Sequence, residues 1–555
     1  MSHTESVSSS RSFLRHAKII GVFTLLSRLL GLVREMVAGH YLGTGMVASA
    51  FTVAFTIPNL FRKLLGEGAL SQAFIPLYAQ AVERGRTETG DDPGRFAARS
   101  VKLLLILLIL ITLVGEVVLG LSLLYTVESD RRLMLWFTVI MLPYVMLVCG
   151  GAFLSGILQV HKRFSVPAFA PVLLNLVHIG VVILGAWFLG LRGRDEISPV
   201  VIQQQTSLAF YLAWGVLLAG VLQVLILWPV LKEVGFRFSI SLKTWTPDTQ
   251  KMLRLSLPVA LGAAVLQTSV LLDKAISYGL MQGGDRATGV VTHFELFGET
   301  YRYPMELGAT RRLELAQLMY QFPLGVFAIA LATALFPSLS AGAVDTNRQR
   351  FKELTRKGVE TTLWEGLPAS VGLILIADPA VRLLFQHGQV TEQDASLIVI
   401  STRFYAAGIW SYALLHVINR AYYALQDAKT PLYASILNIL VNLSVELPLV
   451  WVMGESGMAV GTLVSFCLQA SIMLWILDRR VGGIGFAPTG KKILKMLIAT
   501  TLMLGACLAV RFFSIYPTGQ TRWDWAGQIV LTICIGTSVY FISSYALGLG
   551  PARRS

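Results

Sequence analysis

The chain has 555 residues, of which 54% are hydrophobic and only 14% are charged, and its mean hydropathy is +0.64. Soluble proteins carry about 25% charged residues, so this composition excludes an ordinary soluble domain and indicates a membrane protein. The formal charge of +14 does not require nucleic acid as a partner, because basic residues collect in the cytoplasmic loops of membrane proteins.

Apolar segments long enough to cross a bilayer recur along the whole chain. Two of them, residues 103–125 and 133–154, reach or exceed the roughly 20 residues that a spanning helix needs. We therefore predict an all-α polytopic membrane protein with about fourteen transmembrane helices. The predicted spans are 17–42, 47–83, 101–126, 133–160, 165–190, 207–231, 252–282, 313–340, 358–386, 395–425, 430–453, 457–477, 493–515 and 525–548.

The predicted helices form two similar halves. VPAFAPVLLN at 166–175 aligns with TPLYASILNI at 430–439, and AFIPLYAQ at 73–80 resembles ALFPSLSA at 334–341. These matches place helix 5 over helix 11 and helix 2 over helix 8, and repeated halves are common in transporters. The predicted parts are a polar N-terminal tail (1–16), a lobe of helices 1–6 (17–231), a pseudo-symmetric lobe of helices 7–12 (252–477), and helices 13 and 14 (493–548).

The orientation is predicted from the loops. Lys and Arg are concentrated in alternate loops, including those after helices 2, 4, 6 and 8. This asymmetry predicts an even number of spans with both termini in the cytoplasm.

Charged side chains interrupt the apolar pattern of predicted helix 1. Arg28 and Glu35 are seven residues apart and share a helical face, with Ser27 beside Arg28, while Arg34 lies about 120° around the axis. A lipid-facing helix does not tolerate this polarity, so these side chains are expected to face protein or a watery cavity.

Predicted helix 2 carries a second polar face. Asn59, Arg62 and Lys63 stand at positions i, i+3 and i+4, and Pro58 with the nearby glycines is expected to loosen or bend the helix. The alternative for Lys63, and for Arg382 in helix 9, is that the side chain reaches the headgroup region. An arginine-lined cavity beneath apolar helices suits a lipid with a phosphate headgroup.

Four motifs carry a resemblance to a known family. SRLLGLVREMVAG, IPNLFRKLLGEGALSQAFIP, RFSVPAFAPVLLN and QFPLGVFAIALATALFPSLS resemble the MurJ/MviN family of lipid II flippases in the MOP superfamily. The resemblance implies fourteen helices in two lobes and alternating access. It also implies transfer of the undecaprenyl-pyrophosphate-linked peptidoglycan precursor from the cytoplasmic to the periplasmic leaflet of the bacterial inner membrane.

The same resemblance implies which residues bind the headgroup. The functional arginines of the family match Arg28, Arg34 and Arg62, with Ser27 and Asn59 beside them. Helices 13 and 14 are expected to hold the polyprenyl tail, and cell-wall synthesis enzymes are possible partners.

This chain departs from the family pattern at two positions. Ser49 stands where the family commonly has an acidic residue, and Leu318 stands where the family has a helix-8 arginine. We hypothesise that Arg311 or Arg312 supplies the displaced charge; the alternative is that both are ordinary loop cations. The preceding loop, within residues 283–312, looks longer than the family norm, and no role is predicted for it.

A coupling site is the second hypothesis from the resemblance. Oxygen ligands that suit a sodium ion are offered by Asp273 in helix 7, Asn438 and Asn442 in helix 11, and Thr462 in helix 12. The alternatives are a hydrogen-bond network between helices and pairing of Lys274 with Asp273.

The sequence favours transport over catalysis. GFAPTGKK at 485–492 lacks the final Ser/Thr of a phosphate-binding loop, and the histidines (His161, His178, His293, His387 and His416) are scattered. The four cysteines lie in apolar spans without ligand spacing, which predicts a packing role. The alternatives are another MOP exporter, for drugs or another polyprenyl-linked saccharide, a membrane enzyme acting on the same lipid, and a scaffold.

Overall fold

The computed structural model describes residues 3–87, 93–126, 128–238, 244–285, 289–326, 328–345, 348–513, 517 and 519–549. The chain divides into two compact units, unit 1 at Met1–Tyr301 and unit 2 at Arg302–Ser555.

Unit 1 contains nine described α-helices, one π-helical segment and four short strands. In chain order the helices are α1 (His3–Leu42), α2 (Met46–Phe61), α3 (Leu70–Thr87), α4 (Pro93–Tyr125), α5 (Ser129–Met141), α6 (Tyr144–Val160), α7 (Ser165–Leu189), α8 (Pro199–Glu233) and α9 (Pro247–Gly279), with the π-helical segment Arg62–Ala69 between α2 and α3. The strands are β1 (Gly283–Asp285), β2 (Gly289–Val291), β3 (His293–Leu296) and β4 (Glu299–Arg302), whose last residue is the first of unit 2.

Beyond β4, the described elements of unit 2 are α-helices joined by short loops. Its helices are α10 (Ala309–Val326), α11 (Ala328–Ala343), α12 (Gln349–Phe385), α13 (Glu392–Ala407), α14 (Ile409–Ala424), α15 (Lys429–Met453), α16 (Ser456–Arg480), α17 (Ala487–Phe512) and α18 (Arg522–Ala546).

The all-α polytopic fold predicted from the sequence is confirmed. Almost all of the described residues in each predicted span are helical. Eleven described segments are long and apolar enough to cross a membrane. The number is twelve if α13 and α14, bent by 43°, form one span. The two predicted spans that do not meet this criterion are helices 1 and 2, which carry the charged residues of the predicted site.

Helix 2 is irregular, as its proline and glycines predict. α2 contains Pro58, which has no N–H to donate, and the chain is wound as a π-helix from Arg62 to Ala69. Gly66 allows this segment to approach α6, since a Cβ at this position would lie 3.2 Å from the Cβ of Ala152. Cys149 on α6 donates its thiol to the carbonyl of Phe61, so this cysteine has the packing role predicted for it.

The long loop between helices 7 and 8 holds two antiparallel hairpins. β1 pairs with β2 in the register Gly283 to Val291, and β3 pairs with β4. β1 lies against the beginning of α5, where Gly283 approaches the carboxylate of Asp130. Strands of three or four residues between membrane helices are too short to be recognised from their sequence pattern.

Unit 1 is organised around α7, which packs against α1 and α8. Large apolar side chains remain exposed along α4, including Leu110, Leu113 and Val117. A stripe of this kind needs an apolar solvent, so it fits a lipid-facing surface.

Equivalent helices pack in both units. α2 contacts α5 in unit 1, as α10 contacts α13 in unit 2, and α7 contacts α8 as α15 contacts α16. The repeat and the packing nevertheless divide the chain at different points. The repeat assigns α9, the seventh predicted helix, to the second half, whereas α9 packs against α2, α3, α4 and the π-helical segment of unit 1.

The contact between α15 and α16 leaves no room for a side chain at Gly457. A Cβ there would lie 2.6 Å from the carbonyl carbon of Leu449 and 2.7 Å from its oxygen. We expect Gly457→Ala to push the two helices apart and lower the free energy of unfolding by about 1–3 kcal/mol. In the matched control Gly505→Ala, on α17, the new Cβ meets no heavy atom within 4 Å. Thermal unfolding of the purified chain tests this, and equal stability of the two variants would contradict the packing.

Candidate functional site

Asn175 on α7 joins the polar residues of α1. Its Nδ2 donates to the backbone carbonyl of Ser27 at 2.9 Å and lies 3.4 Å from the Ser27 hydroxyl. Its Oδ1 accepts a hydrogen bond from Nη1 of Arg34 at 3.2 Å. One amide therefore fixes Ser27 and Arg34 relative to α7.

Arg34 is also paired with its neighbour in sequence. Its Nε and Nη2 donate to Oε1 of Glu35 at 2.9 and 2.5 Å. The side chain of Arg34 keeps 22% of its surface exposed, so its guanidinium is accessible in part. The carboxylate offsets the arginine charge while no anion is bound.

A stack of rings supports the same guanidinium. The Cζ of Arg34 lies 5.9 Å from the centroid of the Phe55 ring on α2, within the range of cation–π attraction. The ring of Phe55 also lies against the ring of His178, and the two centroids are 5.5 Å apart. Helices 1, 2 and 5 thus meet at Arg34.

The other two arginines lie beyond this contact, counted from the turn at residues 43–45 that joins α1 to α2. Arg28 precedes Arg34 by six residues on α1, and Arg62 follows Phe55 by seven, directly after α2. The contact between Arg34 and Phe55 therefore links the two segments that carry the three arginines.

The predicted residues differ in their local environment. Arg28 is partly exposed and has no hydrogen bond or ion pair with another residue of the described chain. Asn59 and Arg62 are partly exposed, and Lys63 is exposed. Ser49, at the position where an acidic residue was expected, is fully buried and donates to the carbonyl of Thr44 at 3.2 Å.

In unit 2, Arg312 is engaged in a buried ion-pair network. Its Nε and Nη2 donate to the carboxylate of Glu455, at distances from 2.6 to 3.1 Å. Its Nη1 donates to Asp394 at 3.0 Å and to the carbonyl of Leu307 at 2.9 Å. The side chains of Arg312 and Glu455 are 2% and 4% exposed. Arg312 thereby ties the beginning of α10 to α13 and to the turn before α16.

Arg311 is the other residue that the sequence offers in place of the helix-8 arginine. It is also buried, and its Nη1 lies 3.8 Å from Glu314, a contact longer than a hydrogen bond. Leu318, two turns further along α10, is partly exposed.

The candidate sodium ligands belong to different units, with Asp273 on α9 of unit 1 and the other three in unit 2. Within unit 2, Asn442 donates to Glu446 at 3.0 Å, and Ser465 lies 3.5 Å from Asn442 Oδ1. The hydroxyl of Thr462 donates to the carbonyl of Met458 at 3.1 Å. Of these contacts, the one between Ser465 and Asn442 joins α15 to α16 and supports the alternative of a polar network between helices, while the sodium site stays a prediction.

Sequence reasoning did not identify Asn175, Phe55 or His178 as parts of the site. Asn175 contacts Arg34 across 141 residues of sequence, and no local pattern announces such a pair. The available signal was a pair of polar residues, Asn175 and His178, three positions apart within an otherwise apolar helix.

Comparison with known proteins gives the family. A family model described as "Lipid II flippase MurJ" matches residues 38–521. A probable lipid II flippase MurJ of Rhizobium tropici is 28% identical over 548 residues, which cover 97% of this chain and 95% of the relative. The lipid II flippase MurJ of Burkholderia cenocepacia is 28% identical over 520 residues, 91% of this chain and 90% of the relative.

Solved structures show the same fold. A lipid II flippase MurJ in an inward closed conformation superposes with a TM-score of 0.71 at 22% identity, over 96% of this chain and 99% of that one. An inward-facing multidrug resistance MATE family transporter of the MOP superfamily gives a TM-score of 0.60 at 15% identity, over 83% and 96%. Since the family model spans most of the sequence, this chain belongs to the MurJ family of lipid II flippases.

Proposed function

We propose that this chain transfers lipid II, the undecaprenyl-pyrophosphate-linked precursor of peptidoglycan, from the cytoplasmic to the periplasmic leaflet of the bacterial inner membrane. Membership of the flippase family supports this function over export of drugs or of other saccharides. Both termini are placed in the cytoplasm, on the basis of the loop charges.

The placement of Arg34 carries the proposal. Each arginine within the hydrocarbon region costs about 3 kcal/mol or more, so three of them need a function. Asn175 and Phe55 hold Arg34 in one orientation, and Arg28 and Arg62 belong to the two segments that this contact joins. A guanidinium binds phosphate oxygens through two parallel hydrogen bonds. In this proposal the three side chains together supply the positive charge that binds the diphosphate.

The chemistry is binding and release, with no covalent step. Glu35 accepts hydrogen bonds from Arg34 in the structure and competes for it with an incoming phosphate. In alternating access, movement of one half of the chain against the other opens the site to each leaflet in turn. Release on the periplasmic side is favoured when Glu35 recovers its pairing with Arg34.

The second half contributes in three proposed ways. Arg311 or Arg312 of α10 is proposed as a headgroup ligand, and for Arg312 this requires release of Glu455, Asp394 and Leu307, which take its donors in the structure. The tail of the lipid is assigned to α17 and α18. Sodium is proposed as a coupling ion at Asp273, Asn438, Asn442 and Thr462.

Complementation tests the function. The full chain is expressed in a bacterium depleted of its own flippase, and we expect growth and cell shape to be restored. If the chain reaches the inner membrane in normal amounts and the cells still lyse, lipid II transfer by this protein is contradicted.

A further inference from the structure

His178 is a buried polar side chain with one ring nitrogen that is not hydrogen-bonded to any described residue. It lies on α7, one turn after Asn175, and is 2% exposed. Its Nε2 atom has no partner among the described residues. More than nine in ten buried polar groups are hydrogen-bonded in native structures, so an imidazole left this way in a membrane helix needs an explanation.

The charged neighbours of His178 come from α1. Arg34 contacts the Phe55 ring of α2, whose centroid lies 5.5 Å from that of His178, and Glu35 is paired with Arg34. The other helices packed against α7 are α6, which contains no charged residue, and α8, whose charged residues are both in its last turn. Among these described helices, the charged groups near His178 are therefore those of the Arg34 site.

Nε2 of His178 faces no acceptor among the described residues, and the same Phe55 ring contacts both His178 and Arg34. A diphosphate diester bound to Arg34 brings two negative charges close to this ring. Opposite charge within a few ångströms favours the protonated form of histidine.

We propose that His178 takes up a proton when the diphosphate headgroup binds at Arg34, so that lipid II binding is linked to proton binding. The inference rests on the proposed function. The proton comes from water and is held at Nε2 of His178, and no bond to phosphorus or carbon changes. His178 thus acts as a positioning residue, which touches Phe55 and acts on the headgroup through the charge at Arg34.

Linkage fixes the sign of the effect. Because the complex binds more protons than the empty protein, affinity for lipid II rises as the pH falls. Coupling between two binding events typically changes affinity by a factor of five to about 150, so a change of this size is expected in the dissociation constant of lipid II.

The test is equilibrium binding of lipid II to the full chain in detergent micelles, between about pH 8 and about pH 5.5. The unmodified chain is compared with His178→Phe, which keeps a ring against Phe55 and cannot bind a proton. His178→Gln serves as a second variant should the phenylalanine impair folding. Titration of Glu35 and of the diphosphate itself is common to all three proteins, so it cancels in the comparison.

We expect the dissociation constant of the unmodified chain to fall on acidification by at least about fivefold more than that of either variant, with similar affinities near pH 8. Equal pH dependence in the three proteins would overturn the role of His178 while leaving the proposed function intact. Absence of binding by the unmodified chain at every pH would overturn the proposed function and this inference with it.

Discussion

Arg28→Ala is expected to lower lipid II transport by about 10- to 150-fold. A hydrogen bond to a charged group contributes about 1.5–3 kcal/mol, and each 1.4 kcal/mol changes an equilibrium tenfold. Arg28 has no hydrogen bond or ion pair with another described residue, so its replacement removes a ligand and leaves no protein group unpaired. The rate of lipid II transfer in the complemented strain measures the effect.

Two further variants make this prediction specific. Arg28→Lys keeps the charge and loses the bidentate geometry, so a smaller loss is expected. Arg479→Ala serves as the matched control, because Arg479 is exposed at the end of α16 and stacks over Trp475 at 4.2 Å. A transport rate in Arg28→Ala equal to that of the control would remove Arg28 from the site.

Arg312→Met is expected to destabilise the protein by about 3–5 kcal/mol, because it leaves the buried carboxylate of Glu455 and the partly buried carboxylate of Asp394 without their counter-charge. The unfolding temperature of the purified chain measures this loss. The double variant Arg312→Met with Glu455→Met removes both members of the main pair and should recover part of the stability.

The same experiment shows whether Arg312, at the start of helix 8, has a structural role or is available to bind substrate. Arg403→Met is the control, since Arg403 is exposed on α13 and no described residue bonds to it. If Arg312→Met unfolds at the same temperature as Arg403→Met, the ion-pair network contributes no stability. The donors of Arg312 can then be released at no cost in stability, and Arg312 is a headgroup candidate equal to Arg311.

The helices could be predicted from the sequence because burial in lipid demands long apolar runs. Pro58 and the glycines likewise predicted the irregular helix 2, and charge within apolar surroundings singled out Arg28, Arg34 and Arg62. Each of these signals lies within one short segment, so it can be read from the sequence without knowing which segments are in contact.

The remaining features depend on contacts between distant segments. Nothing in the sequence of their own helices marks Asn175 and Phe55 as site residues, because their role lies in their contacts with Arg34 on another helix. Packing of α9 with unit 1 is decided by the fit of helix surfaces, which the repeat does not encode. The sequence offers Arg312 as a headgroup ligand or as a loop cation, and it does not reveal the contacts of Arg312 with Glu455 and Asp394, more than 80 residues away.

In the proposed function, Arg28, Arg34 and Arg62 together bind the diphosphate of lipid II. The most direct test measures binding of lipid II and of its monophosphate analogue to the unmodified chain and to the triple variant Arg28→Gln, Arg34→Gln, Arg62→Gln. We expect the unmodified chain to bind the diphosphate lipid at least tenfold more tightly than the monophosphate, since one charge-assisted contact is worth about 1.5–3 kcal/mol, and the triple variant to lose this preference. A triple variant that is folded and still prefers the diphosphate by the same factor would contradict the claim.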